Sequence, residues 1–110
     1  MVQLADIKLI KRKLNGRDRL GQATYTETSK DAVAEIIQIS RSEFFQAGQI
    51  GITPDYGFKV SSFDYDDEVI LEFKGQRRRI YRSYRPDPNT IELYTELAAG
   101  YNEEVDDDDN

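Results

Sequence analysis

Apolar residues recur at every second position in several short runs, and each run is closed by a turn signal. Tyr56, Phe58 and Val60 fall on one face of residues 56–62, with Gly57, Lys59 and Ser61 on the other. Residues 68–74 place Val69, Leu71 and Phe73 together. Residues 90–97 turn Ile91, Leu93 and Leu97 inward and Glu92, Tyr94 and Glu96 outward. A period of two is the signature of a half-buried strand, and no period of 3.6 competes with it here. Asp64 to Asp67, Lys74-Gly75-Gln76 and Pro86 to Asn89 supply the connections, and residues 77–85 between them are strand-like.

The first half reads less sharply. Residues 3–12 alternate loosely and predict a strand, and residues 23–28 are rich in Thr and Tyr, which favours another. Residues 13–22 hold Asn15-Gly16 and Gly21 among charges, which predicts a long, mobile β–β loop. Residues 32–39 fit a helix or a strand by propensity, and Val33 and Ile37 on one parity favour a strand. Ser40 and Glu43 then form a capping-box pattern, with Ile39 and Phe44 at the spacing of a hydrophobic staple and Gly48 as a stop. A helix of about two turns is marginal alone, so burial of Phe44 and Phe45 against a sheet is expected to hold it. The sum is a mainly β chain: a small antiparallel barrel or sandwich with one short helix at about 40–48.

One domain is expected over residues 1–101, since 110 residues support a single modest core. The net charge of −6 is unevenly distributed. Glu103, Glu104 and Asp106 to Asp109 are six acids without a base, so residues 1–101 hold fifteen of each sign. Residues 102–110 are expected to be a disordered acidic tail. The chain has no Cys and no His, which removes thiolate ligands, disulfides and the commonest general base. No catalytic, cofactor or metal site is expected. The acids at 64–68 lack the spacing of a calcium loop and fit a solvated turn better. No apolar run is long enough to cross a membrane, and Asp6 and Lys8 interrupt the N-terminal segment, so neither a span nor a signal peptide is expected.

Twelve of the 15 bases fall in two spans: Lys8, Lys11, Arg12, Lys13, Arg17 and Arg19, then Lys74, Arg77, Arg78, Arg79, Arg82 and Arg85. If the spans adjoin, they make one positive face for an acidic protein or for DNA phosphate. The competing reading is cross-strand pairing with Glu72, Glu92 and Glu96. Tyr81 and Tyr84 interleave the second span, so a small nucleic-acid-binding barrel using Arg77 to Arg85 is the alternative function.

The order of several segments resembles the head–tail joining (head-closure, or stopper) proteins of long-tailed phages. They are Ser42-Glu43-Phe44-Phe45-Gln46-Ala47-Gly48-Gln49, Gly51-Ile52-Thr53-Pro54-Asp55-Tyr56, Phe58-Lys59-Val60, Glu68 to Gly75, Arg79-Ile80-Tyr81-Arg82 and Ile91-Glu92-Leu93-Tyr94. The likeness covers about residues 5–97, and it departs from the family pattern at Arg77-Arg78-Arg79 and in the acidic tail. It implies a β-barrel that is monomeric before assembly and joins a ring below the portal and its adaptor. There it would help retain packaged DNA and present the site for the tail. It further implies partners in the portal or adaptor ring and a tail-completion or tail protein, with copies of itself in the ring and DNA in the channel. The place implied is the virion neck, assembled in the bacterial cytoplasm. The interface residues expected on this reading are Lys13, Asn15, Gly16, Arg17, Asp18 and Arg19 of the early loop, with Arg77, Arg78, Arg79 and Arg82.

Overall fold

A computed structural model describes residues 2–97. The acidic tail expected at 102–110, and the end of the expected domain at 101, lie outside the described residues. The chain forms β1 (Leu4–Arg17), β2 (Ala23–Ile37), α1 (Arg41–Gly48), β3 (Tyr56–Ser61), β4 (Ile70–Phe73), β5 (Gln76–Asp87) and β6 (Thr90–Leu97). The strands close into an antiparallel barrel in the order β1-β2-β3-β6-β5-β4, which settles barrel against sandwich. Closure depends on three residue pairs, Lys8 with Glu72, Leu9 with Leu71 and Ile10 with Ile70.

The period-two runs supply the core. Ile7, Leu9, Phe58, Val60, Leu71, Phe73, Ile80, Ile91 and Leu93 point inward and are buried together. Phe58, Phe73 and Tyr56 form an aromatic trio with ring centroids 5.2 to 5.8 Å apart. Two expected inward positions differ. Val69 precedes β4 and is exposed, and Leu97 is exposed at the end of β6. In β2 the inward parity belongs to Ala32, Ala34 and Ile36 rather than to Val33 and Ile37. Ile36 is the one that lies opposite Phe58. Thr95 takes the inward place in β6, and its hydroxyl donates to the Tyr56 carbonyl at 2.9 Å, so no polar atom is stranded.

The expected loop at 13–22 is corrected. β1 continues to Arg17 and β2 begins at Ala23, leaving only residues 18–22 as a turn. Beyond Ile10, β1 has no partner but β2, so Lys11–Arg17 and Ala23–Thr28 leave the barrel as a two-stranded ribbon. At about 3.3 Å per residue it projects roughly 20 Å. Residues 13–22 read as a loop because a ribbon standing in solvent has no buried face to reveal its strands.

Helix α1 begins as expected: the Ser40 hydroxyl accepts from the Glu43 amide at 3.0 Å. Its anchoring is another correction, because Phe44 and Phe45 stay 53% and 66% exposed and only Ala47 is buried. The Glu43 carboxylate does not return to the cap. It reaches β5, where Tyr81 donates at 2.7 Å and Arg82 Nη2 at 2.6 Å. A β-bulge at Tyr81 makes this possible: Ile80 pairs with Thr95 but Arg82 with Tyr94, so the parity shifts and Arg82 faces outward. Its guanidinium lies 4.4 Å from the centre of the Tyr94 ring. Gly57 lies directly across from Tyr94, and a methyl group there would come within 3.2 Å of Ile37 Cβ and 3.3 Å of the ring.

Arg78 has the opposite fate. It pairs with Leu71 on the inward face and is 4% exposed. Its Nε donates to Asp55 at 2.5 Å and its Nη1 to the Phe73 carbonyl at 2.6 Å. The guanidinium lies 5.3 Å and 5.1 Å from the Tyr56 and Phe73 ring centres. It caps one end of the aromatic core. Removing one member of such a pair strands a buried charge at a cost of about 3 to 5 kcal/mol, whereas replacing both with apolar groups is nearly neutral. Asp55→Ala is therefore expected to destabilise the domain by about 3 kcal/mol, and Asp55→Ala with Arg78→Met by clearly less. Urea unfolding of the two variants beside wild type measures both.

Candidate functional site

The ribbon ends in a turn built by its own polar groups. The Asp18 carboxylate accepts from the amides of Leu20 at 2.9 Å and Gln22 at 3.0 Å. The Asp18 amide donates to the Gln22 carbonyl, the Gly21 amide to the Asp18 carbonyl, and Arg17 Nη1 to the Gly21 carbonyl at 2.9 Å. Gly21 has φ of +83°, a region that side chains disfavour. These bonds hold Leu20 at the tip, 83% exposed. Nothing among the described residues covers Leu20, which is among the most exposed large apolar side chains together with Phe63 and Ile50.

The rest of the ribbon adds to that tip. Leu14 pairs with Tyr25 on one face, and both are exposed. Arg12 stands over the Tyr25 ring at 5.7 Å. Asn15 is the extra residue of a bulge between Leu14 and Gly16, and its amide nitrogen donates to the Thr26 hydroxyl. Gly16 has φ of +134°. Lys13 and Arg19 are exposed and have no ion-pair partner among the described residues.

At its root the ribbon is clamped to the barrel. Glu27 accepts from Arg12 Nη2 at 2.7 Å, and from Arg77 Nη1 and Nη2 at 2.9 Å each. The two basic spans thus meet, but at a shared carboxylate. The Arg77 hydrogen bonds first, then those of Arg12, hold the Glu27 carboxyl at about 2 against partial burial, which opposes them. Beneath this bridge Ile10 and Ile70 pair on the outer face and are nonetheless buried.

The remaining expected residues disperse. Arg79 faces outward and donates from Nε to Glu96 at 2.7 Å, its cross-strand partner. Arg82 is held by Glu43, and Arg78 lies inside the barrel. Partial burial pushes the Glu43 carboxyl up, and the Arg82 and Tyr81 hydrogen bonds outweigh it, leaving it below its ordinary value. Burial, then the Glu43 hydrogen bond, pushes the Tyr81 hydroxyl well above its ordinary value. Burial and a hydrogen bond to Glu92 push Tyr94 up to about 12. Every arginine from 77 to 79, and Arg82, therefore meets a carboxylate. Cross-strand pairing accounts for Arg79, and the others take Glu27, Asp55 and Glu43, acids distant in sequence.

The 64–68 turn also closes on itself. Lys11 Nζ meets Asp66 at 2.7 Å, and the buried Glu68 carboxylate accepts from the Asp66 amide at 2.7 Å. Among the described residues no group of three or more acidic, His or Cys side chains is placed to hold a metal ion. No described helix is long and apolar enough to cross a membrane.

Sequence reasoning missed Glu27, Glu43 and Asp55 as partners of the arginines, because those pairs are fixed only by the barrel. It missed Leu20 as well, where a lone apolar residue between Arg19 and Gly21 was the available signal. No family model and no curated protein matches the chain.

The Glu27 clamp has a pH window. A carboxyl whose folded value is depressed contributes stability that is complete above its unfolded value, near 4.5, and is lost as pH falls through the folded value, about 2. Glu27→Gln is expected to cost about 1–2 kcal/mol at pH 7 after solvent screening. The gap from wild type should narrow between pH 5 and pH 2, as followed by chemical denaturation across that range.

Proposed function

We propose that this protein is a virion assembly subunit of the head-closure kind, acting through surfaces it offers to neighbours in the neck of a long-tailed phage. It would join a ring below the portal or adaptor, help retain packaged DNA, and receive the tail or a tail-completion protein. The single observation that supports a docking role most strongly is the ribbon, with Leu20 held at its tip between Arg17 and Arg19. A prebuilt turn loses little freedom on docking, so each contact it makes counts more fully toward affinity. Its bases steer an acidic partner and its leucine seats in an apolar pocket. The order of segments resembling the head–tail joining family supplies the phage context.

The alternative, a nucleic-acid-binding barrel using Arg77 to Arg85, finds less support. Its arginines at 77, 78, 79 and 82 are matched by carboxylates, and phosphate would have to displace those partners.

Replacing Arg17 and Arg19 by Glu together should leave the thermal unfolding midpoint within a few degrees of wild type, since both side chains stand in solvent. The same change should abolish tail attachment when supplied to a phage lacking its own copy. Tail-less, DNA-filled heads by electron microscopy are the expected result; full infectious yield would sink the assignment.

A further inference from the structure

The ribbon and the barrel carry opposite charge. Residues 11–22 hold five bases, Lys11, Arg12, Lys13, Arg17 and Arg19, against the single acid Asp18, a formal +4. The rest of residues 1–97 holds ten bases and fourteen acids, a formal −4. Asp18 is turned into the backbone of the tip, where it accepts from two amides. A positive arm of roughly 20 Å therefore stands clear of a negative body. A polyanion that the body repels can still reach the arm.

The bases lie on both faces of that arm. Lys11 and Lys13 pair with Thr28 and Thr26 on one face. Arg12 and Leu14 pair with Glu27 and Tyr25 on the other, which Arg17 joins opposite Ala23 beyond the bulge. Lys13, Arg17 and Arg19 have no ion pair among the described residues. A flat acidic protein surface would use one face of such an element. A cleft walled by negative charge on both sides uses both, and the grooves of duplex DNA are such clefts, which two-stranded ribbons enter. Asn15, Thr24 and Thr26 add side chains of the kind that bond to phosphate and sugar.

The tip supplies a second, independent feature. The Leu20 amide is tied to the Asp18 carboxylate, so the turn fixes where this uncovered leucine points, with Arg19 beside it. An apolar wedge of this kind unstacks neighbouring base pairs when an arm lies in the minor groove, and arginine is drawn to the strong negative potential there.

We infer that the ribbon is an arm for duplex DNA: it lies in the minor groove, its bases meet phosphates on both walls, and Leu20 wedges between two base pairs and bends the duplex. The site differs from the Arg77 to Arg85 strand, whose arginines at 77, 78, 79 and 82 meet carboxylates. The inference rests on the ribbon's geometry and charge and not on the head-closure reading.

The test uses the full chain and a duplex of about 20 base pairs with a central TA step, the step most easily kinked, carrying a dye at each end. Anisotropy gives binding and energy transfer between the ends gives bending. From about 50 to 200 mM salt, wild type should lose affinity with a slope of log K on log salt of about −3, the value for three phosphates met by Lys13, Arg17 and Arg19. Energy transfer should rise on binding. Changing those three to Gln should bring the slope near zero and weaken binding at least about tenfold at the lowest salt. Leu20→Ala should keep the slope and lose the rise in energy transfer. All these side chains stand in solvent, and thermal melts followed by circular dichroism should match wild type.

A duplex left unbound by wild type at the lowest salt would overturn the inference. So would a slope that survives the triple change, or bending by Leu20→Ala equal to that of wild type. Loss of tail attachment in the Arg17 and Arg19 particles, with no DNA bound by the wild-type protein, would assign the ribbon to a protein neighbour; it would refute the DNA arm and leave the proposed role standing.

Discussion

The barrel is closed by three residue pairs between β1 and the four-residue β4, and most of the molecule is arranged around that short seam. Three pairs are a thin closure for a six-stranded barrel. On the inside Leu9 and Leu71 seal it; on the outside Ile10 and Ile70 do. Outward isoleucines would ordinarily be wet. They are dry here because Arg77 crosses over the seam to Glu27, which Arg12 also holds. The clamp therefore does two things with one carboxylate: it shields the closing strand pair and fixes the direction in which the ribbon leaves.

Ion pairs settle the other loose parts in the same way. Helix α1 buries only Ala47, so burial contributes little to holding it, and Glu43 supplies the attachment to Tyr81 and Arg82. The open end of the barrel is stopped by Arg78 against Asp55 rather than by another aliphatic side chain. The high charge content of the chain is thus used in long-range pairs. Lys13 and Arg19, toward the ribbon tip, have no ion pair among the described residues, and neither have Arg41, Lys59, Lys74 and Arg85 elsewhere on the surface.

The strands from 56 to 97, the Ser40 cap and a small antiparallel β fold, barrel or sandwich, were legible because alternation and turn residues report directly on a half-buried sheet. The errors share a cause. Phe44 and Phe45 were expected inside because aromatic residues are costly to leave wet, yet this surface keeps them out. Val33 and Ile37 share a parity that favoured a strand, but the face turned inward is that of Ala32, Ala34 and Ile36, with Ile36 paired with Phe58. The bulge at Tyr81 left no mark in the sequence, and it alone decides that Arg82 faces the helix while Arg78 faces the core. The early residues singled out for contact with a partner do share one projecting element, though as a paired ribbon and not as a loop. The four arginines of the second span went to four separate destinations, since pairing across a barrel depends on register and curvature that one chain segment does not encode.

The ribbon leaves both its margins bare: no described strand pairs with Lys11–Arg17 on one side or with Ala23–Ala34 on the other. Rows of open amides and carbonyls invite unlimited strand addition and, with it, aggregation. The irregularity at Asn15-Gly16 breaks the straight run that a foreign strand would need, and Lys11, Lys13, Lys30 and Asp31 set charges along the rims. A small kink near the tip thereby makes both open margins poor templates for an added strand.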